Sequence, residues 1–162
     1  MIVLSRIDDR LIHGQVTVGW SRFLEIERII VISDELADDE TQKMLLSMAV
    51  PENIEFELYT VDVTASKILA DEYVKDKTML LAASALEFHQ LIVKHKVEIS
   101  ELNLGGQRYS GGPHKINESI QITEDSFQML KAIRDLGVEI DIRTIPTSTK
   151  LMLFDVYPVP EL

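Results

Sequence analysis

The chain has 162 residues, 46% hydrophobic and 27% charged, with a formal charge of −11 and no cysteine. This is the composition of one compact globular unit that can bury a core without staples, and it excludes a disordered or low-complexity chain. The missing cysteines exclude disulfides, thiolate metal sites and cysteine nucleophiles, and the acidic balance argues against nucleic acid, whose phosphates call for clustered Lys and Arg.

The chain opens on strand-like Ile2-Val3-Leu4, without the basic start and long apolar stretch of a signal peptide, and no apolar run approaches membrane-spanning length. The expectation is a cytosolic protein. After a polar loop through His13, residues 15–24 read as a helix with Val16, Trp20 and Phe23 on one face. Arg28-Ile29-Ile30-Val31-Ile32 is a β-branched run typical of a strand buried on both sides. A helix follows from Asp39, with Thr41, Met44, Leu45, Met48 and Ala49 as its core stripe, closed before Pro51. Residues 54–59 alternate as a strand, 61–69 return as a helix and 78–82 form another apolar strand. Ser84 can cap a helix carrying Leu86, Phe88, Leu91 and Ile92, with Lys94, His95 and Lys96 at its basic end.

Residues 99–104 read as a strand running into Gly105-Gly106, and a second glycine pair, Gly111-Gly112, precedes Pro113. Neither pair matches a Walker or dinucleotide fingerprint, so both read as flexible-loop punctuation. One more strand is expected within 115–123. Thr123, Glu124 and Asp125 start a helix with Phe127, Leu130, Ile133 and Leu136 as its stripe and Gly137 as its stop. Residues 138–142 alternate as a last strand. The apolar tail Leu151 to Phe154 either docks on the body or contributes to a homodimer contact, and Pro158 and Pro160 end it.

Strands alternating with helices predict a single-domain α/β fold, an open and mostly parallel central sheet with helices on both faces and right-handed crossovers. Ligands bind such sheets outside the carboxyl ends of the strands. That edge gathers residues 8–14, 33–35, Ser84 and 105–112. The stretch Arg6-Ile7-Asp8-Asp9-Arg10-Leu11-Ile12-His13-Gly14-Gln15, which runs into that edge, stands out. A neutral imidazole is a nucleophile near pH 7 if one ring nitrogen is fixed by a partner and positive groups face the incoming anion. Asp8 or Asp9 can fix the ring of His13, Arg10 can stabilise phosphoryl oxygens, and Gly14 and Gln15 can donate backbone N–H groups. Ser84, Gly105, Gly106 and Arg108 are further phosphate-binding candidates. His89 and His95, six residues apart, suit no shared metal and read as structural, and His114 is a loop histidine beside the second glycine pair. No metal or cofactor is expected. The competing reading is a flavodoxin-like module that binds an anion or small ligand without covalent chemistry and does not need His13.

The segment 6–16, Arg-Ile-Asp-Asp-Arg-Leu-Ile-His-Gly-Gln-Val, together with Trp20, resembles the opening of the IIB component of the mannose/fructose/sorbose family of the bacterial phosphoenolpyruvate-dependent sugar phosphotransferase system. The likeness extends to Asn103-Leu104-Gly105-Gly106-Gln107-Arg108 and to Gly137-Val138-Glu139-Ile140 with Pro146. It implies that His13 is the phosphorylated residue, accepting the group from phosphohistidine on a IIA component and passing it to a sugar brought in by membrane IIC and IID components. Arg10 would stabilise the phosphate. The phosphate would sit on Nδ1, the pros nitrogen, with Nε2 held by a hydrogen bond. A soluble carrier visiting the membrane complex peripherally is implied, and many members of the family are dimers.

Overall fold

The computed structural model of the protein describes residues 1–160. Strands β1 (Ile2–Asp8), β2 (Arg28–Ile32), β3 (Glu55–Tyr59), β4 (Thr78–Ala82), β5 (Glu101–Arg108), β6 (His114–Asn117), β7 (Ile120–Ile122) and β8 (Glu139–Asp141) form one sheet. Its order is β3-β2-β4-β1-β5-β7-β6, with β8 paired to β5 alongside β7. Only β6 and β7 pair antiparallel.

The continuous apolar strands follow from this arrangement, because both faces of the central strands are dry. In β2, Ile30 and Ile32 enter one core while Ile29 and Val31 enter the other. The first core is covered by α3 (Val61–Leu69), α4 (Ala85–His89) with its π-helical continuation Gln90–Lys94, α5 (Glu124–Asp135) and α6 (Leu153–Val156). The second lies under the π-helical turn Gln15–Trp20, which runs on into α1 (Ser21–Leu24), and under α2 (Glu40–Met48). Asp39, Thr60, Ser84 and Thr123 cap α2, α3, α4 and α5 by accepting a backbone N–H, each contact contributing about 1 kcal/mol. Gly137, at φ +91°, stops α5 in a conformation that a side chain would strain.

Several expectations need correction. Phe23 does not share the buried face of Val16 and Trp20 and is exposed, because the π-helical turn shifts the angular phase of the residues after it. Met44, Leu45 and Met48 of α2 face solvent, and the helix packs through Leu46 instead. Leu86 and Leu136 are likewise exposed. Gly105 and Gly106 lie inside β5 and are not loop residues, and residues 115–123 belong to a hairpin of two strands. The tail docks on its own body through Leu153, fully buried, while Leu151 stays exposed.

The topology sets the site. β1 is central, between β4 and β5. The chain leaves β1 toward α1 on one face, whereas it leaves the adjacent β4 toward α4 on the other. Connections that part to opposite faces open a crevice at the carboxyl ends of the strands, and the His13 loop lies there.

Candidate functional site

Asp8, the last residue of β1, is fully buried and is the hub of the site. Its Oδ2 accepts from Arg6 Nη2 at 2.9 Å, Arg10 Nη2 at 3.0 Å and His13 Nε2 at 2.9 Å. Its Oδ1 accepts from the Arg10 backbone N–H at 3.1 Å and from Arg10 Nε at 3.0 Å. Burial pushes this carboxyl up, but the hydrogen bonds from Arg10 and the charges of Arg6 and His13 outweigh it and hold the group down at about 2. Asp8 is therefore a carboxylate at neutral pH and takes the proton-bearing nitrogen of His13, which makes Nε2 the N–H and leaves the lone pair on Nδ1. No group among the described residues bonds Nδ1.

Burial lowers the pKa of His13; Asp8 pulls it up, and Arg10 and Arg6 oppose that pull. The ring is thus neutral near pH 7, with 16% of its side chain reachable by solvent. Its backbone carbonyl accepts from Val16 N, Thr17 N and Thr17 Oγ1, which fixes the residue to the start of the π-helical turn.

The loop is held in place by apolar plugs that outweigh a strained backbone. Leu11 and Ile12 are buried in the second core, and Leu11 adopts a left-handed φ of 57°, which costs a side chain about 1–2 kcal/mol. The Leu11 N–H closes a turn on the Asp8 carbonyl at 2.9 Å. Asp9 takes a different part from Asp8: it binds Arg108 through that residue's backbone N–H at 2.7 Å and Nη1 at 2.6 Å, and its own N–H donates to the Gly106 carbonyl at 3.0 Å. The carboxylate on His13 is Asp8, and Asp9 ties the loop to β5.

The other candidates separate in the same way. The Gln15 side chain accepts from Arg10 Nη2 at 2.8 Å and so bears on Arg10. Gly14 is exposed at the start of the turn, beside His13. Ser84 lies at the end of the neighbouring strand, where its hydroxyl donates to Glu87 at 2.7 Å and caps α4. The space beside Gly105 is filled by protein, since a Cβ there would lie 2.1 Å from Arg6 Cζ, and a Cβ on Gly106 would meet Arg108 Nη1 at 2.9 Å. These two glycines make room for guanidinium groups.

Sequence reasoning included Arg6 in the stretch but gave it no role. Fully buried, it spans Asn103 Oδ1 at 2.5 Å and Asp8, with its guanidinium carbon 5.4 Å from the centre of the Trp20 ring. Arg143, from the segment after β8, also lies 5.4 Å from that ring, and its carbonyl accepts from Asn103 Nδ2 at 2.9 Å. The available signal was a lone arginine in an apolar strand, two residues before an aspartate and therefore on the same strand face. His114 lies apart, stacked on Phe127 at 4.0 Å with Nδ1 against the Tyr157 hydroxyl at 3.0 Å and Nε2 on Glu124.

The family model described as the PTS system sorbose subfamily IIB component, PTS being the phosphotransferase system, matches residues 2–158. The chain belongs to this family. Among its relatives, the fructose-specific EIIB component of Bacillus subtilis is 34% identical, the alignment covering 90% of this chain and 89% of the relative. The mannose-specific EIIAB component of Escherichia coli K12 is 32% identical over 96% of this chain, which spans about half (48%) of that longer protein. The IIBSor domain of the sorbose permease from Klebsiella pneumoniae superposes with a TM-score of 0.88 at 27% identity, covering 97% of this chain and 96% of that one. The family takes its name from the phosphotransferase system. No helix among the described residues is long and apolar enough to cross a membrane.

Proposed function

We propose that the protein is a cytoplasmic phosphocarrier whose His13 accepts a phosphoryl group from phosphohistidine on a IIA component and passes it to a sugar at the membrane IIC and IID components. The observation that carries this reading is the single hydrogen bond that the His13 ring makes among the described residues: Nε2 on Asp8, Nδ1 free. The Nδ1 lone pair attacks the donor phosphorus, the donor N–P bond breaks, and its electrons return to the donor imidazole. In the second step a sugar hydroxyl oxygen attacks the same phosphorus, its proton leaves to solvent, and His13 regains its lone pair. Arg10, with 39% of its side chain exposed and, among the described residues, tethered by Asp8 and Gln15, can turn a guanidinium edge toward the phosphoryl oxygens, where positioning and charge supply most of the catalysis. Gly14 and Gln15 follow His13 in the chain and can offer backbone N–H groups, and Arg108, paired with Asp9 of the same loop, is a further cation for the phosphoryl oxygens. A relative whose name joins an A to a B component supports IIA as the donor.

The test is intact mass and peptide mapping at alkaline pH after incubation with phosphoenolpyruvate, the two general phosphotransferase proteins and a family IIA. The expected result is one acid-labile phosphate, about 80 Da, on the peptide carrying His13. A phosphorylated IIA that leaves this chain unlabelled, or a label on another histidine, would overturn the assignment.

A further inference from the structure

Two arginines share one carboxylate, and they differ in freedom. Arg10 lies at the surface, whereas Arg6 has no exposed side-chain surface. Both donate to Asp8 Oδ2, the oxygen that also holds His13. Such a carboxylate poses a chemical problem. Beside an imidazole it normally favours imidazolium, which has no lone pair with which to attack phosphorus. Arg10 relieves this only while it stays on Asp8, and the proposed transfer needs it to turn toward the phosphoryl group.

We propose that Arg6 is the positioning residue of this site, a fixed cation behind Asp8 that keeps the carboxylate on Nε2 and cancels its charge, so that Nδ1 holds its lone pair when Arg10 moves away. The inference rests on His13 being the phosphorylated residue. The slot around Arg6 suits this task. Asn103 holds one end of the guanidinium, Trp20 lies along its face, and Gly105 vacates the volume that any side chain would take from it. The Trp20 ring is itself anchored, its Nε1 donating to the Thr144 carbonyl at 2.9 Å. A buried guanidinium costs several kcal/mol in lost hydration unless its partners are well placed, so this one is committed to its position. The charged groups around His13 are Asp8 and Arg6 from β1, Arg10 from the loop and the Asp9–Arg108 pair toward β5, with Asp141 and Arg143 behind Arg6 near the end of β8.

The test is nitrogen-15 NMR of the His13 ring in the full, unphosphorylated chain across a pH titration. The wild type is expected to show the Nε2–H tautomer. In Arg6→Met, and in Gly105→Ala, which displaces the guanidinium without changing the charge count, the midpoint should rise by about one pH unit, a tenfold gain in proton affinity. Arg6→Lys, which keeps the charge, should move it less. In labelling assays the acid limb of the Arg6→Met rate profile should shift upward and the rate should recover at alkaline pH, whereas a merely structural lesion lowers it at every pH. Folded variants with the wild-type midpoint and tautomer would overturn the proposal, as would failure of all three to fold, which would make Arg6 scaffold. The ring titration uses no donor protein, so a wild type that refuses phosphate would sink the carrier reading and leave this result standing.

Discussion

His13 and His114 each rest on a carboxylate, yet of the two only His13 keeps a ring nitrogen free of partners among the described residues. Asp8 is buried and pinned by two arginines, so it presents one oriented oxygen to one nitrogen of His13 and leaves the other nitrogen open. Glu124 is exposed, and His114 spends both nitrogens, on Glu124 and on the Tyr157 hydroxyl, with its ring stacked on Phe127. The first arrangement keeps a lone pair available. The second joins the β6–β7 hairpin, α5 and the tail. A histidine–carboxylate contact is thus no signature of chemistry by itself; what matters is which ring nitrogen remains free and whether the carboxylate is held ionised.

The widest gap between the two histidines should appear in labelling. His13→Gln should take up no phosphate from phospho-IIA while keeping its circular dichroism, and His114→Gln should label fully; equal labelling of both variants would erase the distinction. Arg10→Ala should fold and label about 100-fold more slowly, the size expected on removing one charged donor from a transition state, as read by single-turnover phosphorylation. At the other pole, Phe127→Ala should cost about 3–5 kcal/mol in urea unfolding by emptying a core position, with labelling of the folded fraction intact.

Acid should report on the buried carboxylate of Asp8. A folded pKa of about 2 against an ordinary 3.8 means Asp8 adds roughly 2 kcal/mol of stability, fully present above about pH 4 and lost as the pH falls through about 2. Asp8→Asn should flatten that limb of the stability profile in urea titrations from pH 2 to 5. The smallest effect belongs to His114→Ala, about 1 kcal/mol from a lost aromatic stack, read as a modest drop in the urea midpoint.

The sequence by itself determined the alternation of strands and helices, because burial on both faces demands continuous apolar strands such as 29–32 and 78–82, and because Ser84, Thr123 and Gly137 act within a few residues of themselves. It also marked the loop, since an Asp-Asp-Arg run before a histidine and glycine at a strand exit is a local pattern. It placed α2 but misjudged its buried face, since Met44, Leu45 and Met48 have helical spacing yet are exposed, because spacing says which residues share a face and not whether anything covers it. The division of labour between Asp8 and Asp9 was open in the sequence and was decided by the strand to which each is tied. The register of β1 on β5 pairs Arg6 with Asn103 and Asp8 with Gly106, which sets Asp8 beneath His13 and turns Asp9 toward Arg108. Arg6 and Gly105 are 99 positions apart in the chain, and only the parallel pairing of β1 with β5 fits a guanidinium into the space of a missing side chain.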